Sequence, residues 1–202
     1  MNKYPDAIAN LISQLSALPG IGPKSAERLA FFLLRQNNQT TDSLINALTN
    51  LRKNSTWCDR CFNISTANPC AICTDAKRDQ QTVCIVAEPQ DVQVIEKTGD
   101  YHGVYHVLGG VLNPVEGITP DQLRIKELLQ RIQRAAPPIT EVIIATNPDL
   151  EGESTAMYIA RQLKEQPLKI TRLAKGLPMG ADLEYADEIT VSSAIKGRQE
   201  MK

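Results

Sequence analysis

By residue type and spacing, the side chains best suited to chemistry are Cys58, Cys61, Cys70 and Cys73, two Cys-x2-Cys pairs with eight residues between them. Each pair can present two thiolates from one tight turn. Two such turns close a tetrahedron of soft sulfur donors, which suits zinc. The surrounding segment, 56–79, has few aliphatic residues, one Trp and one Phe. That is too little apolar surface to fold unaided, so metal binding would supply much of its folding free energy. Four protein ligands leave no position for water, which makes this zinc structural and removes metal-hydroxide chemistry. The alternative, four free buried thiols, is disfavoured by the paired spacing. Cys84, the fifth cysteine, sits inside an apolar run and reads as a core residue.

A second candidate is Leu18-Pro19-Gly20-Ile21-Gly22-Pro23-Lys24-Ser25-Ala26, where two helical patterns meet at two glycines flanking one apolar residue. Gly20 and Gly22 permit a tight turn and close approach of another backbone, so amides at the next helix start can meet a phosphate oxygen. Lys24 and Arg28, one turn apart, add cations that are blind to base sequence. The bland alternative is an αα-hairpin in which the glycines only allow reversal and Ile21 plugs the core. The pattern resembles the helix-hairpin-helix family, which implies non-specific contact with the DNA backbone and in other settings dimerisation.

Acidic residues form the third group. Glu88 directly follows the apolar run Val83–Ala87, and Asp149, Glu151 and Glu153 follow Glu141–Thr146. Ends of parallel strands are where sites gather. This arrangement resembles the Toprim domain, whose lone Glu and Asp-x-Asp-x-Glu group bind magnesium for phosphoryl transfer. By position Glu88 matches the lone glutamate, Asn147 the first aspartate, Asp149 the second and Glu151 the last. Asn147 removes one unit of charge, so affinity for Mg2+ should fall. The same residues also fit a helix N-terminus, where carboxylates cap amides and meet a favourable dipole. Tyr101, Tyr105, Tyr158 and Tyr185 carry no local signature of an activated nucleophile. His102 and His106 read as packing or hydrogen-bonding residues.

The elements that must position these groups are legible in part. Ile8, Leu11, Ile12, Leu15 and Leu18 recur at helical spacing, as do Ala26, Leu29, Ala30 and Leu33, and then Leu44, Ile45, Leu48 and Leu51, so residues 1–55 read as helical. Val83–Ala87 and Glu141–Thr146 read as buried strands, covered by helices over Leu123–Ile132 and Ser154–Leu163. Gly176–Gly180 punctuates the end, and one more short helix follows. The predicted class is multi-domain α+β: 1–55 helix-hairpin-helix, 56–79 zinc module, 80–175 an α/β section with a mainly parallel sheet, and 176–202 a C-terminal assembly segment.

At 202 residues and 42% hydrophobic content the chain can bury an ordinary core. No run approaches the ~20 apolar residues of a membrane span, and Met1–Pro5 lacks a secretory signal, so the expected location is cytoplasmic and nucleoid-associated. Net charge is -1. Residues 1–80 nevertheless hold nine Lys/Arg against six Asp/Glu, while 81–202 hold thirteen against seventeen. A phosphate-facing surface is therefore expected mainly in the first part, and cations or protein partners for the rest.

Taken in order, the hairpin, the cysteine module, the Toprim-like section, Tyr105–Gly110 and the final Gly176–Asp187 resemble the RecR family across essentially the whole chain. The resemblance implies a non-catalytic DNA-binding mediator of recombinational repair, a homotetrameric ring, and joint action with RecO and RecF in loading recombinase on single strands. Two rivals remain in view: a Mg2+-dependent Toprim phosphoryl-transfer enzyme, nuclease or primase-like, and a zinc-stabilised assembly protein with no nucleic-acid role.

Overall fold

A computed structural model describes residues 4–200, and the chain divides into two compact units at Ser55/Thr56. Met1–Lys3, part of the segment read for a signal, lie outside the described residues, as do Met201 and Lys202.

The first unit is helical: α1 (Asp6–Ser16), α2 (Pro23–Arg35) and α3 (Asn38–Asn54). Gly20, at φ +81°, takes the left-handed conformation that lets the chain reverse between α1 and α2. The turn is closed by the Ile21 amide donating to the Leu18 carbonyl at 3.1 Å. On α2 the small side chains Ala26 and Ala30 are buried, and Tyr4 meets Phe31 edge-on at 5.3 Å between ring centroids. Ile21 is half-buried. Asn37 caps α3 by accepting from the Thr40 amide at 2.9 Å. The apolar stripe of α3 forms a helix as expected but covers no core. Leu48 and Leu51 are 60% and 65% exposed, and no residue of α3 is buried.

In the second unit β1 (Thr56–Trp57) and β2 (Ile64–Ser65) form an antiparallel ribbon, followed by the single turn α4 (Ala71–Thr74). Then come β3 (Asp79–Val86), α5 (Pro89–Glu96), β4 (Gly103–Val107), α6 (Ile125–Arg134), β5 (Glu141–Ile144), α7 (Leu150–Leu163), β6 (Lys169–Arg172) and α8 (Glu188–Lys196). The sheet order is β4-β3-β5-β6, with every neighbouring pair parallel.

Strand alternation divides the core in two. Val83 and Ile85 join Leu128, Ile132, Val142, Ile159 and Leu163 on the face covered by α6 and α7. Cys84 and Val86 join Val92 of α5 with Tyr105 and Val107 on the other. With both faces covered, the central strand is apolar at consecutive positions, as a parallel sheet requires. Cys84 is 1% exposed, as the sequence suggested.

α7 starts four residues earlier than the Ser154 expected from periodicity, because Asp149 accepts from the Gly152 amide and nucleates the first turn. β4, α5 and β6 are elements that the sequence patterns do not predict.

Candidate metal centre and nucleic-acid interface

The first cysteine pair sits on a turn leaving β1. The Phe62 amide donates to the Cys58 carbonyl at 2.8 Å and the Cys58 amide to the Asn63 carbonyl at 2.9 Å. Phe62, at φ +60°, adopts a left-handed backbone that few bulky residues take, and its ring explains how it is held. It meets His106 edge-on at 5.3 Å, with the Arg124 guanidinium 5.1 Å from its centroid. The second pair spans the start of α4, Cys70 being its N-cap.

All four sulfurs lie within 4.8 Å of one another, and their residues are at most 3% exposed. The Sγ atoms of Cys61 and Cys70 are 3.6 Å apart. Zinc–sulfur bonds of about 2.3 Å at tetrahedral angles put sulfurs about 3.8 Å apart, so these thiols fit a structural zinc. Among the described residues only Ile72 adds apolar packing to the cluster, which shows how little else would hold it.

The electrostatics agree. Burial raises the Cys58 thiol, yet amides of Cys70, Cys61 and Arg60 outweigh it and lower its pKa to about 7. Cys61 is raised by its hydrogen bond to Cys73 and by burial, and burial pushes Cys70 up to about 11. Crowded thiolates of this kind need a dication to coexist.

The module is fixed to the sheet. The Val107 amide donates to the Cys61 carbonyl at 2.8 Å, and one Arg131 nitrogen donates to the carbonyls of Arg60 (3.2 Å) and Tyr105 (2.6 Å). Nothing in the spacing of the sequence points to Arg131 or Phe62, since their roles depend on distant backbone carbonyls and rings. His106 is fully buried, and its Nε2 lies 2.8 Å from the Arg124 carbonyl. A carbonyl can only accept, so Nε2 carries the proton.

Glu88 follows β3, and Asn147, Asp149 and Glu151 follow β5. Because these strands are parallel neighbours, both acidic segments lie at the same carboxyl end of the sheet. Each also serves a helix start. The Glu88 amide donates to Asp91 Oδ2, and Asp149 Oδ1 accepts from the Gly152 amide, both at 2.8 Å. A Cβ on Gly152 would overlap the Asn147 carbonyl oxygen, so the loop closes tightly on the helix. Glu153 is held by Lys175 and by Arg172 at 3.1 Å, which keeps its carboxyl below the usual range. Glu88 and Asp149 are exposed. Among the described residues, the four cysteines are the one group of three or more potential ligands close enough to share an ion. Glu88, Asp149 and Glu151 are brought to one end of the strands but not into such a group.

In the helical unit, Gly20, Gly22, Lys24 and Arg28 are all exposed around the first turn of α2. Gly22 is the N-cap and provides no side-chain cap, while Pro23 has no amide hydrogen. The amides of Lys24 and Ser25 therefore belong to an uncapped helix start.

A parallel sheet with carboxylates beyond neighbouring strands, joined to a four-thiol module and accompanied by a helical hairpin, defines a zinc-ligating protein of the Toprim type. The comparisons agree part by part. Residues 8–52 match the RecR helix-hairpin-helix, 58–75 the RecR four-cysteine zinc finger domain, 81–174 the Toprim domain and 176–199 the RecR C-terminal part. The chain is 52% identical over 197 residues to "Recombination protein RecR" of Herpetosiphon aurantiacus, covering 98% of this chain and 96% of that protein. The chain belongs to the RecR family.

Proposed function

We propose that the protein is a DNA-binding mediator of recombinational repair that acts as a scaffold without catalysing a reaction. The observation carrying this reading is the uncapped start of α2, where the Gly20-Ile21-Gly22 bend places exposed Lys24 and Arg28 beside amides. Such a surface grips sugar-phosphate without reading bases. The relative's name, a recombination protein, supports the biological setting. Joint action with RecO and RecF in loading recombinase on single strands completes the reading, with the protein cytoplasmic and nucleoid-associated. No helix among the described residues is long and apolar enough to cross a membrane.

Cys58, Cys61, Cys70 and Cys73 hold one structural zinc in this reading, and the functional parts run 1–55, 56–79, 80–175 and 176–202. The exposed stripe of Leu44, Ile45, Leu48 and Leu51 supports assembly, proposed as a tetrameric ring. Glu88, Asp149 and Glu151 serve as a docking face for a cationic partner surface, with at most weak affinity for Mg2+. The Toprim match favours a rival, Mg2+-dependent strand cleavage or synthesis. Asn147 in place of a carboxylate and the capping role of Asp149 weigh against it.

The test is a binding titration over salt with single- and double-stranded DNA, alongside a Mg2+-dependent nuclease assay. Lys24→Ala/Arg28→Ala should weaken binding uniformly across sequences and flatten its salt dependence. Unchanged binding would refute the hairpin assignment. Turnover lost in Glu88→Gln would establish the enzyme instead.

A further inference from the structure

Helix α2 buries Ala26 and Ala30 and leaves another face open. On that face Arg28, Phe32 and Arg35 recur at spacings of four and three, which sets them in one row along the helix. With Leu29 they line a groove of about 820 Å3 that lies wholly within the helical unit. Phe32 is 55% exposed and Leu29 39%. The ring of Phe31 has Tyr4 against it, whereas no ring and no guanidinium packs on Phe32 among the described residues. Arg28 and Arg35 are exposed, and neither has a hydrogen-bond or ion-pair partner among the described residues. One carboxylate lines the groove, Glu27, and it accepts from the Tyr4 hydroxyl. Two cations stand against one anion there, and residues 1–55 hold six Lys/Arg against three Asp/Glu. The surplus is positive at both scales.

We propose that Phe32 is a stacking platform for an unpaired base of single-stranded DNA, with Arg28 and Arg35, one helical turn to either side, taking the adjoining phosphates. A phenyl ring offers its face to any base, so the contact is tolerant of sequence, and the flanking cations supply the attraction to the backbone. In a duplex the bases are already stacked and paired, which leaves the ring nothing to engage. An apolar partner would cover Phe32 but leave both guanidiniums without counter-charge, and a second copy presenting the same face would set guanidinium against guanidinium. The proposal rests on DNA as partner and adds a preference for single strands. Its own residues, Phe32 and Arg35, take no part in the amide contact between Gly20 and Ser25.

The experiment compares the full-length protein with Phe32→Ala, Phe32→Leu, Arg35→Ala and Lys24→Ala. Each is titrated with labelled oligo(dT) and with duplex DNA over a salt series, and its thermal stability and oligomeric state are measured. Phe32→Ala should lower affinity for the single strand about 5- to 150-fold, leave its salt slope alone and leave duplex binding unchanged. Phe32→Leu keeps an apolar side chain without a π-face, and should lose affinity as alanine does. Arg35→Ala should lower the slope of log K against log salt by about 0.7 on the single strand. A direct readout comes from Trp57→Phe/Phe32→Trp, which moves the chain's one indole to the platform. Its fluorescence should be quenched by oligo(dT) and not by duplex. Equal losses on single strand and duplex in Phe32→Ala, or full affinity in Phe32→Leu, overturn the proposal. So does a changed oligomeric state in Phe32→Ala with the single-strand preference intact, which would mark the face as an interface between copies. Losses from Phe32→Ala and Arg35→Ala with none from Lys24→Ala sustain the platform and refute the hairpin contact, and the reverse refutes the platform.

Discussion

The amide of Val107 donates to the carbonyl of Cys61 across 2.8 Å, so a metal-binding turn occupies the outer edge of strand β4. An edge strand normally presents unpaired amides. Here part of that edge is covered by a knuckle whose own fold depends on its metal. Beyond Val107 the chain donates from Leu108 to Val86 and from Gly109 and Gly110 to Ala87, the residue before Glu88. Knuckle, strand end and acidic segment are thus linked by successive backbone hydrogen bonds.

Zinc removal should act on this edge first. With chelator, or in Cys61→Ser, the knuckle loses its organising centre, since among the described residues only Ile72 packs against the four thiols. Amide exchange at Val107 should accelerate while Val83 and Ile85 in the sheet interior stay protected. Metal content should fall from one per chain to none with chelator. Equal protection of Val107 with and without metal would contradict the coupling.

Arg131→Ala removes the nitrogen that bridges the Arg60 and Tyr105 carbonyls. Hydrogen bonds to a charged donor are each worth roughly 1.5–3 kcal/mol, and the Tyr105 carbonyl is left in a buried setting. A loss of about 2–3 kcal/mol in urea denaturation is expected, with zinc retained. Arg131→Lys should recover only part, because the shorter side chain must bring its one nitrogen to the same two carbonyls.

Acid should weaken the second unit before its carboxylates titrate. Burial holds His106 at a pKa of about 4, against 6.5 for a free imidazole. Above pH 6.5 the ring is neutral folded or unfolded, and its contribution is fully present. As pH falls from 6.5 toward 4 the unfolded chain takes up a proton that the folded one refuses, so stability declines through that window. The total is on the order of 3 kcal/mol. In His106→Gln the slope between pH 6.5 and 4.5 should flatten. Below that range Glu96, depressed by its hydrogen bonds from Arg78, adds its own loss in the same direction.

Gly152→Ala should disturb the acidic segment without altering its charge. The new methyl would overlap the Asn147 carbonyl, so the first turn of α7 has to shift. Overpacking of this kind costs about 1–3 kcal/mol. Binding of a protein partner at this acidic face should weaken in the variant while DNA binding through α2 is unchanged, which co-titration of the two ligands would show.

How much of this is legible in the sequence follows from range. The cysteine pairs, the Gly20–Gly22 bend and the apolar runs of β3 and β5 are local patterns, and local spacing is enough to read them. β4 is hidden because Gly103–Val107 opens on a glycine in a glycine-rich stretch and carries a polar histidine, yet all five positions are buried. β6, Lys169–Arg172, is a polar edge strand with only Ile170 and Thr171 half-buried. In α3 the mismatch runs the other way, since an amphipathic stripe reports a face to be covered and not what covers it.

Sequence alone settled the types of chemistry available: soft sulfur ligands in pairs, cations beside a glycine bend, carboxylates after apolar runs. These are properties of neighbours along the chain. Tertiary structure decided which of them converge. It gathered four thiols within reach of one ion, left Glu88, Asp149 and Glu151 at a shared end of the strands serving as helix starts, and set Arg60 across a cleft from Arg134. Such distances depend on strand order and on side chains meeting backbone groups tens of residues away, and no local pattern encodes them.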